Sequence, residues 1–441
     1  MLVVLLAAMI MACVVAAGIA IRRPALLIVY LLSVAAILRF GSDLGDALVV
    51  GGHSDLSSLW LLVLIICCLI ALPQLGIFRS RPAAPEIYYL LFLAWCGLEA
   101  AVADDPAFAL RMYLKVLCPL LAMCLARLAM RHAPAAAQLL RWIMGVAVIA
   151  YLPLGGMAWR LAPAITVTAA SFCWAVAAFA DYAAIMTLLA LVCWRLFRKW
   201  YYLGLAFLMG TNGLLASIRT GVLATVVGVS VFLLLEFRRK GLPLVVGMYF
   251  AVALAAVALP GLRDKTFMDM DDADFSKVAL DPTSIDVDHI DSSGRTAAWK
   301  TVLDRFFWPS PLTGSGLGAT QAWFYRGSYE GLMVEHSEYV RLLADTGLIG
   351  LGLYLLIVLS SLKSLWAIYR GDRHPMTRYL GLLGLCVFPV YLVCMGFDNV
   401  LNYVLPAAQF PFAFTGAAIG LHRALQQPSP GFHSEDYHSD W

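Results

Sequence analysis

The residues best suited to chemistry in this chain of 441 residues gather around one histidine. His336-Ser337 is followed by nine residues and then Gly347-Leu348-Ile349-Gly350, where a polar segment gives way to an apolar run. A neutral imidazole can take a proton from a hydroxyl near pH 7, which suits glycosyl or acyl transfer to an alcohol. A lone histidine can equally be solvated or structural, and spacing alone does not choose. Cations form the second group. Arg111 and Lys115 are four residues apart and share one face of a helix. Arg160 and Arg219, the latter in the turn Ala216-Ser217-Ile218-Arg219-Thr220-Gly221, lie at the outer ends of other apolar runs, and Arg295 lies in the polar segment one turn before Trp299. Guanidinium donates paired hydrogen bonds to phosphate oxygens, so a convergent set suits an anionic head group such as a pyrophosphate. Snorkelling to a lipid interface accounts for isolated cations as well. Glu99 and Asp181 are available to pair with these cations or to orient the histidine.

The elements that must hold these groups are membrane helices. Hydrophobic residues make up 62% of the chain and charged residues 13%, too apolar for one water-facing domain to hide. With 31 basic and 28 acidic residues there is no excess of positive charge to suggest nucleic acid. Cutting the chain at charged and Pro/Gly-rich breaks predicts about thirteen spans, the third to sixth near 59–78, 86–103, 108–128 and 138–158. The others are predicted at 1–21, 24–38, 175–195, 200–216, 220–236 and 242–260, and the last three near 342–368, 376–397 and 403–422. A re-entrant half-helix is expected near 162–178. The expected fold class is all-α and polytopic, with one large outer loop carrying short amphipathic helices. Arg22-Arg23, Arg79 with Arg81, Arg127 to Arg141, Arg195 to Lys199, Arg238 to Lys240 and Arg370 to Arg378 mark the cytoplasmic connections. That places 261–341 and the N-terminus outside and the tail after Arg423 inside. The organisation reads as an N-terminal bundle 1–260, a loop 261–341, C-terminal helices 342–423 and a polar tail 424–441. All ten cysteines lie in apolar runs without zinc or redox spacing and read as packing residues.

The loop holds the remaining signals. Nine aspartates between Asp264 and Asp291 admit a divalent-cation site, but no Gly-turned calcium loop accompanies them, which favours a solvated acidic segment. Residues 295–307 place Trp299, Val302, Leu303, Phe306 and Phe307 at helical spacing, predicting an amphipathic helix lying on the membrane with Arg295 and Trp299 towards lipid. Gly314-Ser315-Gly316-Leu317-Gly318 is a turn. Trp323, Phe324, Tyr325 and Tyr329 suit sugar stacking or, more simply, an interfacial aromatic belt. No Walker A motif is present, so direct use of ATP is not expected, and no internal repeat supports a transporter layout.

In order and spacing, the Ser217–Gly221 turn, Arg295 with Trp299, Gly314–Gly318, and His336-Ser337 with Gly347-x-x-Gly350 resemble the O-antigen ligase and polysaccharide polymerase superfamily of bacterial inner-membrane glycosyltransferases. The chain departs from the family's Ser-Arg turn, because Ile218 separates Ser217 from Arg219. The resemblance implies a GT-C type membrane fold and an undecaprenyl-pyrophosphate-linked glycan donor at the periplasmic face of the inner membrane. It implies that His336 is the base, that Arg219 and Arg295 bind the pyrophosphate, and that no metal or cofactor is needed. Arg111, Lys115 and Arg160 are further phosphate contacts by the same reading. The acceptor would be the glycan of another lipid-linked repeat in polymerisation, or lipid A core in ligation. Chain-length regulator or export proteins would be partners beside the bilayer itself. The alternative reading is a flippase for the same lipid-linked glycans.

Overall fold

The computed structural model describes residues 2–38, 56–131, 133–158, 176–215, 218–258, 294–327 and 335–426. The acidic segment 264–291, Arg160, Ser217, Tyr329 and nearly all of the predicted re-entrant stretch lie outside these. The described chain is all-helical, as apolar segments in lipid must be when every backbone amide has to find its partner within the segment. In order the helices are α1 Leu2–Arg22, α2 Leu27–Tyr30, α3 Leu56–Gln74, α4 Ala84–Ala101, α5 Pro106–Ala129, α6 Ala133–Ala158, α7 Val176–Phe197 and α8 Tyr201–Gly210. There follow α9 Asn212–Leu215, α10 Arg219–Phe237, α11 Leu242–Ala258, α12 Arg295–Val302, α13 Ala319–Tyr325, α14 Glu338–Gly371, α15 Pro375–Phe397 and α16 Gln409–Gln426.

Six of the described helical segments are long and apolar enough to cross a membrane: 106–129, 178–197, 219–255, 338–371, 375–397 and 404–426. Two predicted spans differ. The 24–38 stretch is a chain of short pieces, a 3-10 turn at Pro24–Leu26, α2 and a π-type turn at Leu31–Ala35. The 200–216 stretch breaks at Thr211, leaving α8 with ten residues, about 15 Å. Hydropathy averages over a window, and neither break changes the average.

The core is built around the last helix. The segment 404–426 is buried throughout its apolar window, and α16 crosses α5 so closely that only glycine fits. A Cβ on Gly416 would lie 2.0 Å from the Met123 carbonyl oxygen, and one on Gly420 2.2 Å from that of Arg127. Such contact of backbones is how helices associate where lipid supplies no hydrophobic drive. Helices α10 and α15 run antiparallel, with Tyr379 donating to Glu236 at one end and Gly228 against Val390 in the middle. That register carries Arg219 to the level of Phe397. Helices α4 and α5 are likewise antiparallel, with Glu86 beside Arg127 at one end and the 101–106 turn at the other.

The helix expected to turn its apolar stripe to the membrane surface turns it to protein instead. The apolar stripe of α12 packs on protein, with Ala298 and Val302 fully buried against Phe324, Val340 and Ala344. Trp299, Leu303, Phe306 and Trp323 complete that small cluster. Periodicity shows that a helix has an apolar face but not whether lipid or protein covers it. Phe324 is accordingly a core residue, with Trp323 partly buried beside it and edge-on to Phe306 at 5.8 Å.

Candidate active site

The histidine motif becomes legible when its glycines are placed. Gly347 lies inside α14 at φ 65° and ψ −169°, so the helix is two segments joined at a kink. A Cβ there would meet the Leu312 carbonyl oxygen at 2.2 Å. The amides freed by the kink are satisfied from the loop: Leu348 N donates to Pro311 O at 2.9 Å and Ile349 N to Leu312 O at 3.2 Å. On the loop side Gly314, also at positive φ, lies against the backbone of Asp345, and Ser315 N donates to Ala344 O at 2.9 Å. The Asp345 carboxylate then accepts from Gly318 N, Thr320 N and Thr320 Oγ1 at 2.9 to 3.0 Å, tying down the start of α13. Trp95 of α4 donates to Thr346 O at 3.0 Å. Gly314, Gly318 and Gly347 are therefore one device, which pins the loop to the helix that follows the histidine.

His336 stands just before that helix. Ser337 is the N-cap of α14, accepting from Val340 N at 3.5 Å. His336 itself has φ 51°, a left-handed conformation that costs a non-glycine residue of order 1 kcal/mol and that its neighbours hold in place. On one side Trp299 Nε1 donates to the Glu335 carbonyl oxygen at 2.7 Å. On the other, Arg341 is fully buried and ion-paired with Glu338, with Glu335 Oε1 at 3.5 Å from its Nε. Burial pushes the Glu335 carboxyl up to about 7, partly offset by Arg341.

The imidazole faces the turn after α15. His336 Nδ1 is 3.8 Å from Asp398 Oδ1, beyond hydrogen-bond range, while the side chain is 29% exposed. This buried Nδ1 has no hydrogen-bond partner among the described residues. The same turn collects the other groups. Arg295 Nη1 donates to Phe397 O at 2.9 Å, Lys115 Nζ to Asn402 Oδ1 at 2.5 Å, and Leu401 N to Glu338 Oε2 at 3.2 Å. Residues 397–402 thus link α5, α12 and α14 at one point.

Of the sequence candidates, His336, Arg295 and Lys115 meet at this turn, and the register of α10 brings Arg219 to the same level. Arg111 is one turn from Lys115 and half-buried on α5. Arg160 lies outside the described residues. Arg295 and Trp299 do not face lipid as predicted; both side chains reach inward to carbonyl oxygens. Asp398 occupies the place beside the histidine that sequence reasoning offered to Glu99 or Asp181. Asp181 lies behind it, fully buried beside Cys394 and Asp398, and Glu99 lies under the glycine run, its carbonyl oxygen accepting from Leu317 N. Glu335, Glu338 and Arg341 were missed as well. The available signal was their acidic and basic character within one turn of His336 at the head of an apolar run. Among the described residues no group of three His, Cys, Asp or Glu side chains could hold a metal ion.

Fold and site define a multi-pass helical membrane protein whose reactive and cationic side chains converge at one end of the bundle. Residues 204–355 match the family described as O-Antigen ligase, which supports the O-antigen ligase and polysaccharide polymerase superfamily for this chain and a role in membrane glycan ligation or polymerisation. Among curated proteins none matches. The matched region contains Arg219, Arg295, His336 and all the glycines of the pinning device. Lys115 on α5 and Asp398 in the turn after α15 lie outside it.

Proposed function

We propose that the chain transfers a glycan from undecaprenyl pyrophosphate to an acceptor hydroxyl at the periplasmic face of the bacterial inner membrane. The observation that carries this reading is the meeting of His336, Asp398, Arg295 and Lys115 at the 397–402 turn, with Arg219 at the same level. In the reaction the acceptor oxygen attacks the anomeric carbon of the donor sugar, and the bond from that carbon to the pyrophosphate oxygen breaks. The hydroxyl proton passes to His336, and the electron pair leaves on the pyrophosphate. Developing negative charge at the leaving oxygen is what fixed guanidinium and ammonium groups stabilise. Asp398 near Nδ1 favours the imidazolium formed when the other ring nitrogen accepts the proton. A 3.8 Å separation is of the kind that closes when a substrate binds.

The test is the purified protein with an undecaprenyl-pyrophosphate oligosaccharide, with and without lipid A core. Longer glycan without the core indicates polymerisation, and a core conjugate indicates ligation. Transbilayer movement of the donor with no product from either acceptor would overturn the proposal in favour of a flippase.

A further inference from the structure

The end of the bundle away from His336 carries a second concentration of positive charge. A cavity of about 820 Å³ opens there, lined by Arg79, Arg81, Arg127, Arg131 and Arg423 together with Ser80 and parts of α3, α5 and α16. Along α5, Arg127 at the cavity lies twelve residues, about 18 Å, from Lys115, which reaches the histidine site.

Basic residues at this end satisfy the positive-inside rule by themselves, so charge alone says nothing about a ligand. The way these arginines are held does. They come from three separate places in the chain, and two of them, Arg131 and Arg423, are held by hydrogen bonds to backbone carbonyls, which cannot neutralise them. Arg131 donates to Leu75 O at 3.2 Å, and Arg423 donates to Arg81 O at 2.7 Å and Pro82 O at 3.3 Å. Arg127 is 96% buried by its 4% exposure, pairs through Nε with Glu86 at 2.6 Å, and donates from Nη1 to Ser80 Oγ at 3.2 Å. Its Nη2 is buried and has no hydrogen-bond partner among the described residues. Glu86 is the one carboxylate paired with any of the five among these contacts. A buried guanidinium with an open donor at Arg127, beside four more guanidinium groups of which Arg79, Arg81 and Arg131 are exposed at the mouth, is a favourable setting for an anion. Guanidinium groups on several sides of an opening match the tetrahedral oxygens of a phosphate, which accept bidentate and single bonds from different directions.

We infer that this cavity binds a phosphate group, and that the group is the phosphodiester of an anionic phospholipid in the adjoining leaflet. Leu75 and Ala424 line the same opening and leave apolar ground along which acyl chains can stay in the bilayer while the head group enters. This site is independent of the glycan-transfer reading.

The test is native mass spectrometry of the full-length protein released from detergent after incubation with phosphatidylglycerol, cardiolipin or phosphatidylcholine. A separate arm uses inorganic phosphate and pyrophosphate as competitors. The variants are Arg79→Gln with Arg131→Gln, which line the cavity, and Arg238→Gln with Arg239→Gln, which remove equal charge from another basic turn. Retained phosphatidylglycerol or cardiolipin should fall on the order of tenfold in the first pair and stay at the wild-type level in the second. Competition by pyrophosphate at concentrations equal to those of lipid would move the source from lipid to a soluble phosphate while keeping the site. Equal loss in both pairs, or retention of phosphatidylcholine as strong as of the anionic lipids, would overturn the proposal. Size-exclusion elution checks that each variant is folded.

Discussion

The two ends of the bundle hold their charges differently. Around His336 nearly every charged side chain has a partner: Arg341 has Glu335 and Glu338 close by in the chain, while Asp345 has the start of α13 and Arg295 and Lys115 have the 397–402 turn, all distant in sequence. At the opposite end five arginines face one opening, and among their contacts only Glu86 balances them. The first arrangement fixes positions and is what a site needs that must hold reacting atoms within fractions of an ångström. The second leaves an uncompensated field and is what a site needs that only has to attract a charged group. Where partners are supplied by the protein itself, removal of one should damage the fold or the reaction; where they are not, removal should change only what binds.

That contrast can be broken in several ways. His336→Ala should lower the transfer rate on the order of 10² to 10⁴-fold at unchanged expression and elution, as removal of a general base does. Activity within tenfold of wild type in the product assay would end the assignment of the base. Arg341→Leu leaves Glu335 and Glu338 buried without their cation and should cost about 3–5 kcal/mol, read as a lower thermal midpoint in detergent. Arg131→Gln at the other end should leave that midpoint where it is. Glu335 gives the third test. Its folded carboxyl titrates near 7 against an ordinary 4.5, so the folded state binds the proton more tightly. The stability this adds is complete below pH 4.5 and is lost as pH rises through 7, amounting to about 3 kcal/mol. Thermal midpoints measured across that window should fall less with rising pH in Glu335→Gln than in wild type. Gly314→Ala forces a Cβ into the Asp345 backbone at positive φ and should cost about 1–3 kcal/mol, together with part of the activity, because the loop loses its seat. The smallest effect is expected of Ser337→Ala, about 1 kcal/mol for a lost N-cap, with Ser337→Asn restoring the midpoint.

Much of the fold could be read from the chain because long apolar runs leave a backbone in lipid little choice but the helix. The predicted spans near 108–128, 376–397 and 403–422 coincide closely with α5, α15 and the final helical segment. Reading failed where the decision was tertiary. The stripe of Trp299, Val302 and Phe306 has the same period whether lipid or α13 and α14 cover it. The break at Thr211 is invisible to a hydropathy window. His336 and Arg295 could be named from their place in a motif, but Asp398 could not, since it lies 62 residues after the histidine by number and nothing local distinguishes it from the other outer acids.

By itself, then, the sequence determined the solvent, the helices and the chemical types at the site, because composition and periodicity act through neighbours along the chain. Only the tertiary structure decided what the glycines do, which acid faces the histidine, and that α12 lies on protein. Those outcomes depend on backbones from distant segments approaching closely enough to exclude a Cβ, and no local pattern encodes that approach.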